Sequence, residues 1–235
     1  SRCFMIGIES STFSIVGRCS RTGMFGVAVT TSDLSVGSRC PHVQPHVGAI
    51  TTQASTDPRL GKFALNLLST GYSAKATMDE LSKSDQYIER RQIGIIDVDG
   101  RTAARTGKLN GPWAGHQEGN NFIALGNGLV GEGVIKAMSQ TFENNSSEDL
   151  EQRLMLSLES GLDAGGEIED MTPYHSAAIL VYGRDTFARV DLRVDEHSTA
   201  VKELRRILDL YRRRLDYFLM RPIDPDAAVE LKDLT

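Results

Sequence analysis

Three groups of residues in this 235-residue chain could do chemistry, and each would use a different mechanism. Thr12 opens the run "TFSIVGR", whose β-branched and aromatic residues predict a strand. A threonine hydroxyl at a strand tip can attack an amide carbonyl when its own α-amine takes the proton, an arrangement that needs no histidine–aspartate pair. The amine must be free, yet "SRCFMIGIESS" stands in front of Thr12. On local pattern alone Thr12 is an ordinary β-former.

The second group is "CPHVQPH", with Cys40, His42 and His46. The histidine spacing is that of two metal ligands on one helix face, but Pro41 and Pro45 forbid a regular helix, and no HExxH is present. Cys40 has no local base oriented toward it, and a polar loop is the plainer reading. The third group is "LGNGLVGEG", which matches neither a dinucleotide fingerprint nor a P-loop. Its Asn127, between two glycines, could donate its side-chain amide to an oxyanion, or could simply tolerate a left-handed turn. His175, at the entrance to the apolar run "HSAAILVY", could contact a substrate or be a hydrogen-bonded structural histidine.

These residues need a scaffold. "TFSIVGR" and "MFGVAVT" form a hairpin across "CSRTG", and "VGAITTQA" continues the strand pattern. Asp57-Pro58 reads as an N-cap followed by proline at the first helical position, and a second helix is expected from Ser73 through Leu81. "QIGIIDVDGRTAART" predicts a hairpin with Asp99-Gly100 in a type I′ turn. After the strand of "FIALGNGLVGEG" come a helix from Val134 to Phe142 and another on which Leu150, Leu154, Leu158 and Leu162 recur every four residues. "AGGEIEDMTP" reads as a loop, followed by strands in "HSAAILVYG" and "FARVDLRVD". "TAVKELRRILDLYRRRLDYFLM" predicts one long amphipathic helix ending before Pro222. Strands in antiparallel hairpins with helices in consecutive pairs imply an α+β fold, a four-layer α-β-β-α sandwich of two antiparallel sheets.

Composition narrows the function classes. A net charge of -5 supplies no basic field for nucleic acid or an anionic membrane. The apolar run "CFMIGI" is too short for a membrane span or signal core. Cys3, Cys19 and Cys40 cannot all pair, which favours a reducing compartment, and a cytoplasmic location is expected. With no linker or repeat, the expected organisation is an N-terminal extension or propeptide over 1–11, one domain over 12–228 and a tail over 229–235.

The blocks "TFSIVGR", "GMFGVAVTTSDLSVGSRCPHVQPHVGAITTQA", "RRQIGIIDVDGRTAARTG", "WAGH", "LGNGL", "LESGLDAGGE" and "HSAAILV" resemble, in this order, a bacterial family of unknown function assigned to the N-terminal nucleophile (Ntn) hydrolase superfamily. The C-terminal "VDLRVDEHSTAVKELRRILDLYRRRLDYFLMRPIDPDAA" resembles one of its subgroups. The resemblance implies an Ntn-hydrolase-like sandwich with the nucleophile, Thr12, at the tip of the first strand. Family chains typically begin Met-Thr-Phe-Ser, so the residues preceding Thr12 depart from the pattern. The activity implied is hydrolysis of a small amide, ureido or peptide-like C–N bond, with Thr12 and Asn127 catalytic and Asp33, Gln53 and His175 as substrate contacts. The alternatives are a catalytically silent ligand-binding or oligomeric interaction protein and, more weakly, a thiol or metal enzyme around Cys40, His42 and His46. No cofactor or metal is expected; the expected partners are a small-molecule amide and further copies of the chain, with the long C-terminal helix as a plausible dimer surface.

Overall fold

The computed structural model describes residues 10–111, 113–166 and 175–228. Most of the N-terminal extension, part of the loop after "LESGL" and the 229–235 tail lie outside the described residues. Strands β1 (Thr12–Arg18) and β2 (Phe25–Thr31) form the expected hairpin. They are followed by β3 (Pro41–Gln44), β4 (Gly48–Ala54), helices α1 (Pro58–Ser69) and α2 (Ala74–Ser84), and β5 (Arg91–Asp97) with β6 (Thr102–Thr106). Next come β7 (Ala114–Gly119), β8 (Phe122–Asn127), α3 (Gly133–Asn144) and α4 (Leu150–Asp163). The chain continues through β9 (Ser176–Tyr182), β10 (Ala188–Val194), α5 (Ala200–Arg213) and α6 (Leu215–Met220).

The strands make two antiparallel sheets, one in the order β10-β9-β2-β1-β8-β7 and the other β3-β4-β5-β6. Helices α3, α4 and α5 cover the outer face of the first, and α1 and α2 that of the second. This is the α-β-β-α sandwich that both the element pattern and the Ntn-hydrolase resemblance imply. Strand alternation divides the core into layers. On β1, Phe13 and Ile15 pack under α3 and α4 while Val16 faces the other sheet. On β5, Ile93 and Ile95 pack under the second helix pair while Ile96 joins Val16, Ile123 and Leu125 between the sheets.

Local chemistry sets the element ends. The Asp57 carboxylate accepts the Arg59 amide N–H at 3.0 Å, with Pro58 opening α1, and the Ser73 hydroxyl accepts the Ala76 N–H at 3.2 Å at the start of α2. Three expectations change. The β5–β6 connection is not a type I′ turn: Gly100 N–H donates to Asp97 O at 2.9 Å and Asp97 N–H to Arg101 O at 3.0 Å, with a positive φ at Gly100 but not at Asp99. That is a three-residue loop with a left-handed glycine. Segment "PHVQ", expected as loop, is the edge strand β3, whose Pro41 sits at the strand start where its missing N–H is tolerated. The C-terminal helix is broken at Arg214 into α5 and α6. Along α5 its apolar face is used internally, since Leu204 and Leu208 are fully buried against the first sheet, while Phe218 and Leu219 of α6 are only half-buried. None of the described helices is long and apolar enough to cross a membrane.

Candidate functional site

Along the gap between the sheets the inward positions change character. On β1 they run Val16, Ser14, Thr12; on β5 Ile96, Gly94, Gln92; on β8 Ile123, Leu125, Asn127; on β4 they end in Thr51 and Gln53. Antiparallel registers bring the polar members to one end, because Thr12 pairs with both Thr31 and Asn127, and Gln53 pairs with Gln92. Thr12 and Asn127 are each 4% exposed, Gln53 1% and Gln92 0%.

Buried amides must be bonded, and here the bonds form a continuous network. Gln92 Nε2 donates toward Gly126 O at 2.8 Å, Gly115 O at 3.0 Å and Thr106 Oγ1 at 2.9 Å. Backbone carbonyls only accept, so the amide nitrogen must face them and Oε1 must face the other way. That oxygen accepts Gln53 Nε2 at 2.8 Å and Asn127 Nδ2 at 2.9 Å. Gln53 Oε1 in turn accepts the Ser14 hydroxyl at 2.6 Å. The orientation of both expected site amides is therefore fixed by Gln92. Sequence reasoning passed over this residue, although a glutamine at an inward position of an otherwise apolar strand was a readable signal.

Thr12 lies beside this network. Its Oγ1 is 2.8 Å from Thr31 Oγ1, and Thr31 Oγ1 donates to Ser11 O at 3.0 Å. A hydroxyl has one proton, so Thr12 is the donor of the first bond. Ser11 O also accepts the Ser32 N–H at 3.0 Å, and Ser11 N–H donates to Ser32 Oγ at 2.8 Å. Beside Thr12 is a cavity of about 70 Å³, whose lining includes Ser10, Thr31, Asp33, Arg39, Cys40 and Gln53. Asp33 and Gln53 thus meet Thr12 at one cavity. The Asp33 carboxylate accepts its neighbour's amide, Leu34 N–H, at 2.7 Å.

Two non-glycine residues with left-handed backbone flank this cavity, Ser35 at φ 53 and Ala54 at φ 66. Such geometry is costly away from glycine and gathers at functional sites. The Asp33 end is tied to β9 by Ser176, whose Oγ donates to Asp33 O at 2.7 Å and accepts Val36 N–H at 3.0 Å. His175 immediately precedes Ser176, which pairs with Thr31, so His175 stands at the same end of the sheet, two strands from Thr12; its carbonyl accepts the His197 N–H at 3.0 Å.

The residues around Cys40 do not assemble a second centre. Burial pushes the Cys40 thiol up to about 12, which keeps it protonated. His42 Nε2 lies 3.3 Å from Arg39 O, and the ring rests against Gly61 of α1, where a Cβ would overlap it; burial pushes its pKa down. His46, in the β3–β4 turn, reaches instead to Arg184 O at 3.0 Å. Among the described residues no group of three or more His, Cys, Asp or Glu is placed to hold a metal ion.

The model of a family of unknown function, DUF1028, matches residues 12–204, beginning at Thr12. The crystal structure of protein SPO2555 from Silicibacter pomeroyi, of the same family, is similar at a TM-score of 0.77 and 28% identity, covering 86% of this chain and 89% of that one. More distant are Anbu, an ancestral beta-subunit, from Yersinia bercovieri, at a TM-score of 0.40 and 12% identity over 93% of this chain and 100% of that one, and an Anbu Gly-1 mutant from Hyphomicrobium sp. strain MC1, at 0.38 and 13% over 86% and 95%. Among curated proteins none matches.

Proposed function

The chain belongs to the DUF1028 family, and from that premise we propose that it is an Ntn-type amidohydrolase that cleaves a small amide, ureido or peptide-like C–N bond through Thr12. The observation that carries this reading is the Thr12 hydroxyl: buried at a strand tip, on a polar cavity and against a strained rim. An ordinary strand threonine needs none of those surroundings.

The mechanism requires the residues before Thr12 to be removed. With its α-amine free, Thr12 Oγ1 attacks the substrate carbonyl carbon and its proton passes to that amine. The developing oxyanion is stabilised by the second amide proton of Asn127, the first being given to Gln92, together with a backbone N–H. The amine then protonates the leaving nitrogen as the C–N bond breaks, and water hydrolyses the resulting threonine ester. Asp33, Gln53 and His175 contact the rest of the substrate. The small cavity suits a compact acyl portion. Association into homo-oligomers is part of the proposal, through a surface other than the buried face of α5.

The test uses a chain prepared to begin at Thr12 and a panel of small amides and ureido compounds. At least one is expected to be hydrolysed, and Thr12→Ala in that chain should lower turnover by about 10³-fold or more. Undiminished turnover in the variant removes the threonine mechanism. Binding of panel members without turnover in the parent chain would leave the cleft as a ligand-binding site, the alternative raised by the sequence.

A further inference from the structure

The cavity beside Thr12 has a floor and a mouth of different chemistry. Its hydroxyl protons are committed within the protein: Thr12 donates to Thr31, Thr31 donates to Ser11 O, and Thr56 Oγ1 donates to Thr52 O at 2.7 Å. The Cys40 thiol stays protonated, and Gln53 Oε1 accepts from Ser14. Among the side chains from Thr12 onward that line the cavity, and apart from Thr12 itself, the polar capacity left for a ligand is the second amide proton of Gln53 and two charged groups, Asp33 and Arg39. Both charged residues are exposed where they line the cavity, which puts them at its mouth.

Among the described residues neither Asp33 nor Arg39 is in an ion pair, with the other or with a third group, and the Arg39 guanidinium makes no hydrogen bond. One Asp33 oxygen accepts Leu34 N–H, and the other is open. The segment that carries both is pinned to the first sheet. Ser35 N–H donates to Asp195 O at 3.0 Å, Ser176 bridges Asp33 O and Val36 N–H, and Arg39 N–H closes the turn Val36–Ser38 on Val36 O at 3.1 Å. Gly37 lies so close to β9 and β10 that a Cβ there would come within 2.7 Å of Ala178 and 2.9 Å of Arg193. A cation and an anion without partners are thus held by one fixed segment at the entrance to the site. A ligand that carries both a carboxylate and an N–H satisfies the two together, and an uncharged or cationic one leaves the guanidinium without a match.

We propose that Arg39 is the specificity-determining residue of this site and that the substrate is a small N-acyl amino acid, its carboxylate gripped by the Arg39 guanidinium and its amide N–H facing Asp33. The inference rests on the reading of this cavity as the substrate site. The acyl group enters the small cavity, and the amino acid portion stays at the mouth. A planar guanidinium matches a carboxylate with two parallel bonds, which a point charge does not reproduce.

The experiment is calorimetry on the full 1–235 chain with two probes, N-acetylglycine and N-acetylglycinamide, which differ only in the charge of the terminal group. N-acetylglycine is expected to bind about tenfold more tightly or better, and Arg39→Gln should abolish that preference. Asp33→Ala should weaken both probes by about threefold or more and leave the preference in place. Both residues are exposed, so the variants should keep the parent's circular dichroism; Arg39→Met serves as a second removal of the charge. The proposal is overturned if neither probe binds, if the parent binds both equally, or if the preference survives in Arg39→Gln and Arg39→Met. Turnover of the same two compounds by the chain prepared to begin at Thr12 judges the hydrolase reading separately. A carboxylate preference without turnover keeps Arg39 as the ligand anchor and counts against the hydrolase, and turnover without the preference does the reverse.

Discussion

The gap between the two sheets has an apolar end, around Val16, Ile96 and Ile123, and a polar end, around Thr12, Gln53, Gln92 and Asn127. Both ends are built from the same strands and both are buried, yet they are stabilised differently. At the apolar end burial itself is favourable, by about 1.5–3 kcal/mol for each large side chain, and no group has to point in a particular direction. At the polar end burial is unfavourable until every amide finds a partner, and the orientation of three amides is decided by two glycine carbonyls. The difference explains how one fold can hold a rigid centre and a precise polar site a few residues apart.

Substitutions at the two ends should therefore fail in different ways. Ile123→Ala, which opens a cavity at the apolar end, is expected to lower unfolding free energy by about 2–5 kcal/mol in urea denaturation while leaving the Thr12 cavity as it is. Gln92→Leu keeps the volume but removes the partner of Gln53, Asn127 and two carbonyls, and should cost about 3 kcal/mol. It should also release the Asn127 and Gln53 side-chain amide protons to rapid exchange, visible by NMR. A stable Gln92→Leu variant with protected amides would erase the distinction between the ends.

A smaller effect concerns the helix that leaves the polar end. The hydrogen-bonded Arg59 guanidinium holds the Asp57 carboxyl down to about 2, below the ordinary carboxylate value near 4. A carboxyl with a lowered folded pKa stabilises the fold fully above its unfolded value and loses that contribution as pH falls toward its folded value. Asp57→Ala should cost about 1 kcal/mol near neutral pH, and its gap from the parent chain should close between about pH 4 and pH 2 in parallel urea titrations. The Arg59 side chain is highly exposed, so the capping bond, not the ion pair, carries most of this effect.

Much of the scaffold was legible because β-branched alternation and caps are local signals. The β1–β2 hairpin, α1 with its Asp57-Pro58 start and the leucine stripe of α4 follow from residues a few positions apart. What was not legible depends on distant partners. β7, "AGHQEG", has few β-formers and is a strand only because β8 offers it a ladder. Arg214 lies within an unbroken helical pattern, and the break there follows from no capping or proline signal. Thr12, Asn127, Asp33 and Gln53 are expected site residues from the family resemblance, and the strand ends that carry them do converge. Gln92, Thr31 and Ser176 are not among them, because a bond between β5 and β8, or between β2 and the residue before β1, is written in register and not in spacing.

The left-handed backbone at Ser35 and Ala54 bears on how such a protein can be engineered. At either position glycine would relieve roughly 1 kcal/mol of backbone strain. A campaign for thermal stability that ranks sites by local strain would therefore begin on the rim of the Thr12 cavity, where, on the proposed function, stability and activity would compete directly. Under the proposed function the more productive targets in this chain are remote from that rim, where a gain in stability puts nothing at the cavity at risk.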